Sequence, residues 1–429
     1  MEKFIIEGRH PLNGEIIASG NKNSALPLLA ACLLTDKPVI LNNVPEIRDV
    51  HIMKTLLQSL GAEISSIAPN KWLIHAENIS TAKLDPEALK NIRASILLAG
   101  PMTARVGDLT LTPPGGDVIG RRRVDTHILA LRSLGAQAAY ETDKKVFRFS
   151  THKGLTGADI LMDEASVTAT ENAIMVAVMA KGETILRNAA SEPHVQELCH
   201  FLNHIGAKIE NIGSNTLLIQ GVDHLNGGEF TIGADYLEVV SYIGAAVITN
   251  GSVRINDASP EHLGMIRLVF NRLGIDWQVM GNDIVVPAKQ SMVIEPDLGN
   301  AIPEIKVMPW PAFPTDLMSL AIVIATQCKG SVLFHDWMYP SRMFFTDKLV
   351  SMGAQIVLCD PHRVIVQGPT KLLGETLESP DIRAGMALVL AALAAKGTSV
   401  IRNIAQIERG YERVHEKLHQ IGAIIQRVE

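Results

Sequence analysis

At 429 residues the chain is too long for one ordinary hydrophobic core, so it should divide into two or more lobes. Hydrophobic residues make up 47% and charged residues 20%, as in ordinary soluble globular proteins, and a net charge of -6 offers no basic excess for nucleic acid or an anionic membrane. No apolar run reaches the roughly 20 residues that a membrane-spanning helix needs.

The chain opens with "MEKFIIEGRHPLNGEIIASG", which is charged and strand-like and reads as structure rather than as a signal peptide. Next comes "ASGNKNSALPLL", with Lys22 and Asn23 directly before an apolar helical run. A cation at a helix N-terminus is disfavoured by the helix dipole unless an anion compensates it. The stretch lacks the GxxxxGK[ST] spacing of a P-loop. Cys32, Cys199, Cys328 and Cys359 are scattered without a CxxC pair, which fits reduced packing thiols in a cytoplasmic protein.

An internal repeat organises everything that follows. "SLGAEI" at Ser59 returns as "SLGAQA", "HIGAKI", "RLGIDW", "SMGAQI" and "QIGAII". The central glycines Gly61, Gly135, Gly206, Gly274, Gly353 and Gly422 are separated by 74, 71, 68, 79 and 69 residues. A short strand-like run leads each copy, as in "KPVILNNV" and "GSVLFHDW". A loop follows, then a helix, the glycine and another strand. In the second copy Val124, Ile128, Leu131 and Leu134 fall on one face of a 3.6-residue helix. The glycine sits where a left-handed residue would stop that helix. Six mixed strand and helix modules divide naturally into two lobes of three.

The loop after each lead strand varies most and is where function should concentrate. Copy two carries "PPGGDVIGRRRVDTH", copy five "HDWMYPSRMFFTDK" and copy six "NIAQIERGYERVHEK". Arg121, Arg122, Arg123, Arg342 and Arg409 therefore recur at similar places, near helix N-termini that favour anions. The bland alternative is that each arginine solvates a surface turn. In "PWPAFPTDLMSLA", Thr315 or Asp316 could simply cap the next helix, or Asp316 could be a general base. No histidine spacing suits a metal, no cofactor motif appears, and no feature specifies an oligomeric state.

Together, "SGNKNSALPLLAACLL", "NIRASILLAGPMTARVG", "PPGGDVIGRRRVDTHI", "PAFPTDL" and "ERGYERVHEKLHQIGA" resemble the enolpyruvyl transferases over nearly the whole chain. The resemblance implies a two-lobed inside-out α/β barrel of six βαβαββ units. Residues 1–21 with 232–429 would form lobe one and residues 22–231 lobe two. The implied reaction moves the enolpyruvyl group of phosphoenolpyruvate to the 3′-hydroxyl of UDP-N-acetylglucosamine, the first committed step of peptidoglycan synthesis. Lys22, Asn23, Arg122, Arg383 and Arg409 would hold phosphoenolpyruvate. Arg93, Arg122, Arg123, Val124, Asp125, Thr126, Glu164, Ala165, Ser166, Val167, Asp316 and Met338 would contact the nucleotide sugar. Asp117, Lys22, Asp316 and Arg409 would be catalytic, Asp316 as the base.

Asp117 stands where most of the family has the cysteine described as the proton donor. It can act as an acid only if its pKa rises well above about 3.9. Burial would raise it and the neighbouring arginines would lower it. The epoxide fosfomycin alkylates that cysteine, so aspartate implies resistance. Several positions depart from the family pattern: "SVTAT" for "SVGAT" at Thr168, "YLEVVS" for "RIEAGT" at Tyr236 to Ser241 with Val239 and Val240, and "YPSR" for "FENR" at Pro340. These changes fall on the nucleotide-sugar side and on packing. They leave open a different nucleotide acceptor, or an idle paralogue that binds nucleotide sugar and regulates.

Overall fold

The six sequence copies become six small sheets in the computed structural model, which describes residues 2–81, 84, 86–90, 92–115 and 123–429. Five sheets have four strands and one has three among the described residues. The fifth copy shows the plan. Strand Glu304–Lys306 runs parallel to the lead strand Gly330–His335, which pairs antiparallel with Arg363–Gly368; that strand in turn pairs with Gln355–Asp360. Val332 and Phe334 are buried on the lead strand, and Leu333 between them and His335 after them are half-buried, so one face packs inward.

Each lobe is closed by strands that are distant in sequence. Lys3–Glu7 lies between Thr398–Arg402 and Ile424–Val428, antiparallel to both. It fills the place that a hairpin strand takes in the other copies. Asn13–Ile17 is the parallel edge strand beside Ser252–Asn256, and Gly228–Thr231 plays that part beside Val39–Asn42. The described residues accordingly form two compact units, residues 2–19 with 234–429 (lobe one) and residues 20–115 with 123–233 (lobe two). Each has its own hydrophobic core.

Three buried helices form the centre of each core. In lobe one these are Tyr236–Ile248, Met318–Ala325 and Ile382–Ala394, whose residues are all buried. In lobe two they are Lys22–Ala31, the 3-10 turn Arg93–Leu98 running on into Ala99–Arg105, and Val167–Ala177. Helices that are apolar on all sides belong in an interior. The amphipathic helices, such as Arg48–Ser59 and Pro193–His204, bury one face only.

The repeat glycine ends the amphipathic helix in every copy. All six have positive φ, from 75° at Gly274 to 111° at Gly206. A side chain is strained in that region, and glycine is not. Cys32, Cys199 and Cys328 are buried free thiols, as packing residues should be, but Cys359 is exposed on the strand Gln355–Asp360. No helix among the described residues is long and apolar enough to cross a membrane.

Candidate active site

The six central helices begin at or within two residues of Lys22, Arg93, Val167, Tyr236, Asp316 and Arg383. A buried helix start directs unpaired N–H groups toward whatever lies ahead of it, a favourable place for anions. The same point of the repeat therefore presents a helix start, with a candidate residue at or beside it, in copy after copy.

In lobe two, Asn21 caps the first helix, its side chain accepting from the N–H groups of Asn23 at 2.8 Å and Ser24 at 3.3 Å. Lys22 and Asn23 are thus the first helical residues. The anion that the Lys22 cation requires is Asp49, whose carboxylate lies 2.8 Å from the ammonium. Asp49 belongs to the next helix, Arg48–Ser59, and is itself buried. Asn23 is half-buried.

A second lobe-two group joins the loop before Asp125–Ser133 to the start of Val167–Ala177. Arg93 donates to the Arg123 carbonyl at 3.1 Å. The exposed Arg123 side chain pairs with Asp125 and with Asp163, each at 3.1 Å. Thr126, which is buried, donates to the other Asp163 oxygen at 2.7 Å. Val124 is buried; Glu164 is exposed, and Ala165, Ser166 and Val167 are half-buried where the helix begins. Ser166 occupies the cap position without capping through its side chain. His127 is fully buried and bonds both Thr168 and Asn172. Burial, with the Arg93 charge adding to it, pushes its imidazole down to about 3, so the ring is neutral at physiological pH.

In lobe one, Asp316 joins two buried arginines. One carboxylate oxygen accepts from Arg342 at 2.9 Å and the other from Arg383 at 3.2 Å. Burial alone would depress the Arg383 guanidinium, but the Asp316 carboxylate together with Tyr411 and Asp235 outweighs it, and the arginine is raised overall. Arg383 also lies over the Tyr411 ring at 5.7 Å, and Tyr411 hydrogen-bonds Ser241 at 3.0 Å. Asp381 caps the Arg383 helix through the N–H groups of Arg383 and Ala384. Arg409 is half-buried and donates to Gln406 at 3.1 Å. Met338 is half-buried, its N–H bonded to Asp336 at 3.0 Å.

The capping alternative for Thr315 and Asp316 is corrected here. No side chain caps that helix start. Thr315 donates to Asp336, and Asp316 is taken by the two arginines. Charge-assisted bonds outcompete a local cap. Asp117 and Arg122 lie outside the described residues. Asp49, Asp163 and Tyr411 were missed by sequence reasoning. The lone signal for Asp49 was the uncompensated Lys22 itself.

With this geometry in place, comparison with known proteins is decisive for the family. Residues 6–418 match the family described as EPSP synthase (3-phosphoshikimate 1-carboxyvinyltransferase). The chain belongs to the EPSP synthase family. The UDP-N-acetylglucosamine 1-carboxyvinyltransferase of Treponema denticola is 54% identical over 429 residues and covers 100% of both chains. That of Bradyrhizobium diazoefficiens is 56% identical over 426 residues, covering 99% of this chain and 98% of the relative. Among solved structures, the enolpyruvyl transferase NikO from Streptomyces tendae superposes with a TM-score of 0.87 at 22% identity, covering 100% of this chain and 99% of that one. EPSP synthase from Acinetobacter baumannii gives 0.77 at 17% identity with both chains fully covered. The EPSP synthase family fold thus agrees with the two-lobed α/β architecture expected from the sequence.

Two departures acquire physical partners in this family member. Thr168 meets the buried His127 at 3.1 Å, and the Tyr236 ring lies 6.0 Å from that of Trp310. Pro340 is exposed.

Proposed function

We propose that this protein transfers the enolpyruvyl group of phosphoenolpyruvate to the 3′-hydroxyl of UDP-N-acetylglucosamine and releases phosphate, the first committed step of peptidoglycan synthesis in the cytoplasm. The observation that carries this reading is Asp316 held between Arg342 and Arg383, in a chain that aligns end to end with enzymes of that name. Two guanidinium groups favour the charged carboxylate, as a base requires.

The chemistry is addition followed by elimination. Asp117 protonates C3 of phosphoenolpyruvate, which makes C2 electrophilic. The sugar hydroxyl attacks C2 and gives its proton to Asp316. The C–O bond to phosphate then breaks, C3 returns its proton, and the enol ether is left on the sugar. An acid and a base each contribute on the order of 10²–10⁴ in rate. Lys22, Asn23, Arg122, Arg383 and Arg409 hold phosphoenolpyruvate, whose phosphate and carboxylate suit cationic partners. Arg93, Arg122, Arg123, Val124, Asp125, Thr126, Met338 and residues 164–167 receive the nucleotide sugar, with Asp316 at its hydroxyl.

The test is phosphate release from phosphoenolpyruvate with and without UDP-N-acetylglucosamine. Release that requires the sugar supports the reading. Release with another nucleotide instead would move the assignment to a changed acceptor, which the Thr168 and Tyr236 departures would then mark. Silence with every acceptor would leave a nucleotide-sugar-binding protein.

A further inference from the structure

The last residue of the lead strand makes the same kind of contact in copies one, three, four and five. Beside each lead strand runs a parallel edge strand, and a carboxylate two residues before the register partner reaches diagonally to that last residue. Asn42 donates to Glu229 at 2.9 Å, and Arg187 donates to Asp159 at 2.8 Å. Asn256 donates to Glu15 at 3.3 Å, and His335 lies 3.0 Å from Glu304. In copy six the last residue is Arg402, in register with Glu378 on the edge strand Thr376–Glu378. The residue two back is Thr376, so the guanidinium is in place and the diagonal carboxylate is missing. Among the described residues the Arg402 side chain has no hydrogen bond or ion pair.

A cavity of about 360 Å³ opens at that point, between copy six and the helix Thr346–Ser351 of copy five. Arg402, Thr376 and Glu378 line it from one side, Asp347 and Lys348 from the other. The side chains of Glu378, Asp347 and Lys348 likewise have no partner among the described residues. Two cations and two carboxylates thus face one space without neutralising each other. A ligand of one sign would meet its own charge as often as the opposite. A small molecule with a charge of each sign satisfies both pairs. Its carboxylate takes the place that a side-chain carboxylate fills in the other copies, on a guanidinium built for bidentate contact. The volume lies within the range of small-molecule sites.

We propose that this cavity binds a free α-amino acid, its carboxylate on Arg402 and Lys348 and its ammonium on Glu378 and Asp347. None of these residues belongs to the candidate active site, so the proposal goes beyond the functional reading and does not depend on it.

The experiment titrates L-alanine into the wild type, Arg402→Gln and Thr376→Glu, followed by saturation-transfer NMR of the alanine methyl group. The wild type should bind with a Kd of about 1 mM, as suits so small a ligand. Arg402→Gln removes the cation, and Thr376→Glu restores the carboxylate of the other copies and occupies Arg402 from within. Each should weaken binding at least about tenfold. Propionate and ethylamine, which keep one charged end each, should bind about tenfold more weakly than alanine. Thermal unfolding checks that both variants are folded, and their phosphate release should stay within about twofold of the wild type. No alanine binding to the wild type below about 10 mM, binding unchanged in Thr376→Glu, or propionate binding as tightly as alanine overturns the proposal.

Discussion

Lys22 and Asp49 are an ion pair, 2.8 Å apart, with side chains only 9% and 5% exposed. Removing one member of such a pair strands the other charge, whereas replacing both with apolar groups is often tolerated. Asp49→Asn should lower the unfolding free energy by about 3 kcal/mol, read from the urea midpoint. Lys22→Met combined with Asp49→Leu should recover most of that loss, while removal of the Lys22 cation abolishes phosphate release. A double variant as unstable as the single one would show that the pair is not what stabilises this helix start.

Asp316 is predicted to act in the chemical step rather than in folding. Asp316→Asn keeps the shape and removes the base, so kcat should fall on the order of 10²–10⁴-fold. Thermal unfolding should confirm a folded protein. An unchanged kcat would remove Asp316 from the mechanism and leave it as a clamp for Arg342 and Arg383.

Asp117 makes a prediction about an inhibitor. A carboxylate is a far weaker nucleophile than a thiolate, so fosfomycin should neither inactivate the wild type nor add mass to it. Asp117→Cys should gain one drug mass on exposure, and Asp117→Asn should lose phosphate release. A drug adduct on the wild type in the mass spectrum would contradict this.

His127 predicts a pH dependence. Its folded pKa is about 3, against 6.5 when exposed. Between those values the unfolded chain binds the proton and the native state does not, so stability falls as pH drops below 6.5. At about 1.4 kcal/mol per pH unit, this group withdraws about 2 kcal/mol by pH 5. His127→Gln should lose that part of the slope. Urea unfolding of both proteins at pH 5 and pH 8 isolates the difference.

What was legible in the sequence was whatever repeats or is local. The six glycines were visible because a left-handed helix stop leaves one residue type at one place, and all six have the positive φ that this requires. The central helices were visible because an interior helix is apolar all round. Lys22 was visible as a charge in the wrong place. Its answer, Asp49, was not, because nothing local at Asp49 distinguishes it from a surface residue opening a helix. Asp316 shows the same limit. The local rule suggested a cap, and two arginines from other segments overrode it. Arg383 came from resemblance alone. The hydrogen bonds of His127 to Thr168 and Asn172 were invisible because they depend on which atom of a ring faces which atom of an amide.

The placement of Lys3–Glu7 between Thr398–Arg402 and Ile424–Val428 bears on how the molecule is born. On the ribosome this strand is made long before either of its partners. Lobe two, by contrast, has its closing strand as soon as Gly228–Thr231 has been made. It can be complete while lobe one still lacks its third copy. A nascent chain stalled before residue 398 would carry a finished second lobe and an unpaired leading strand, the kind of exposed edge that invites aggregation or a chaperone.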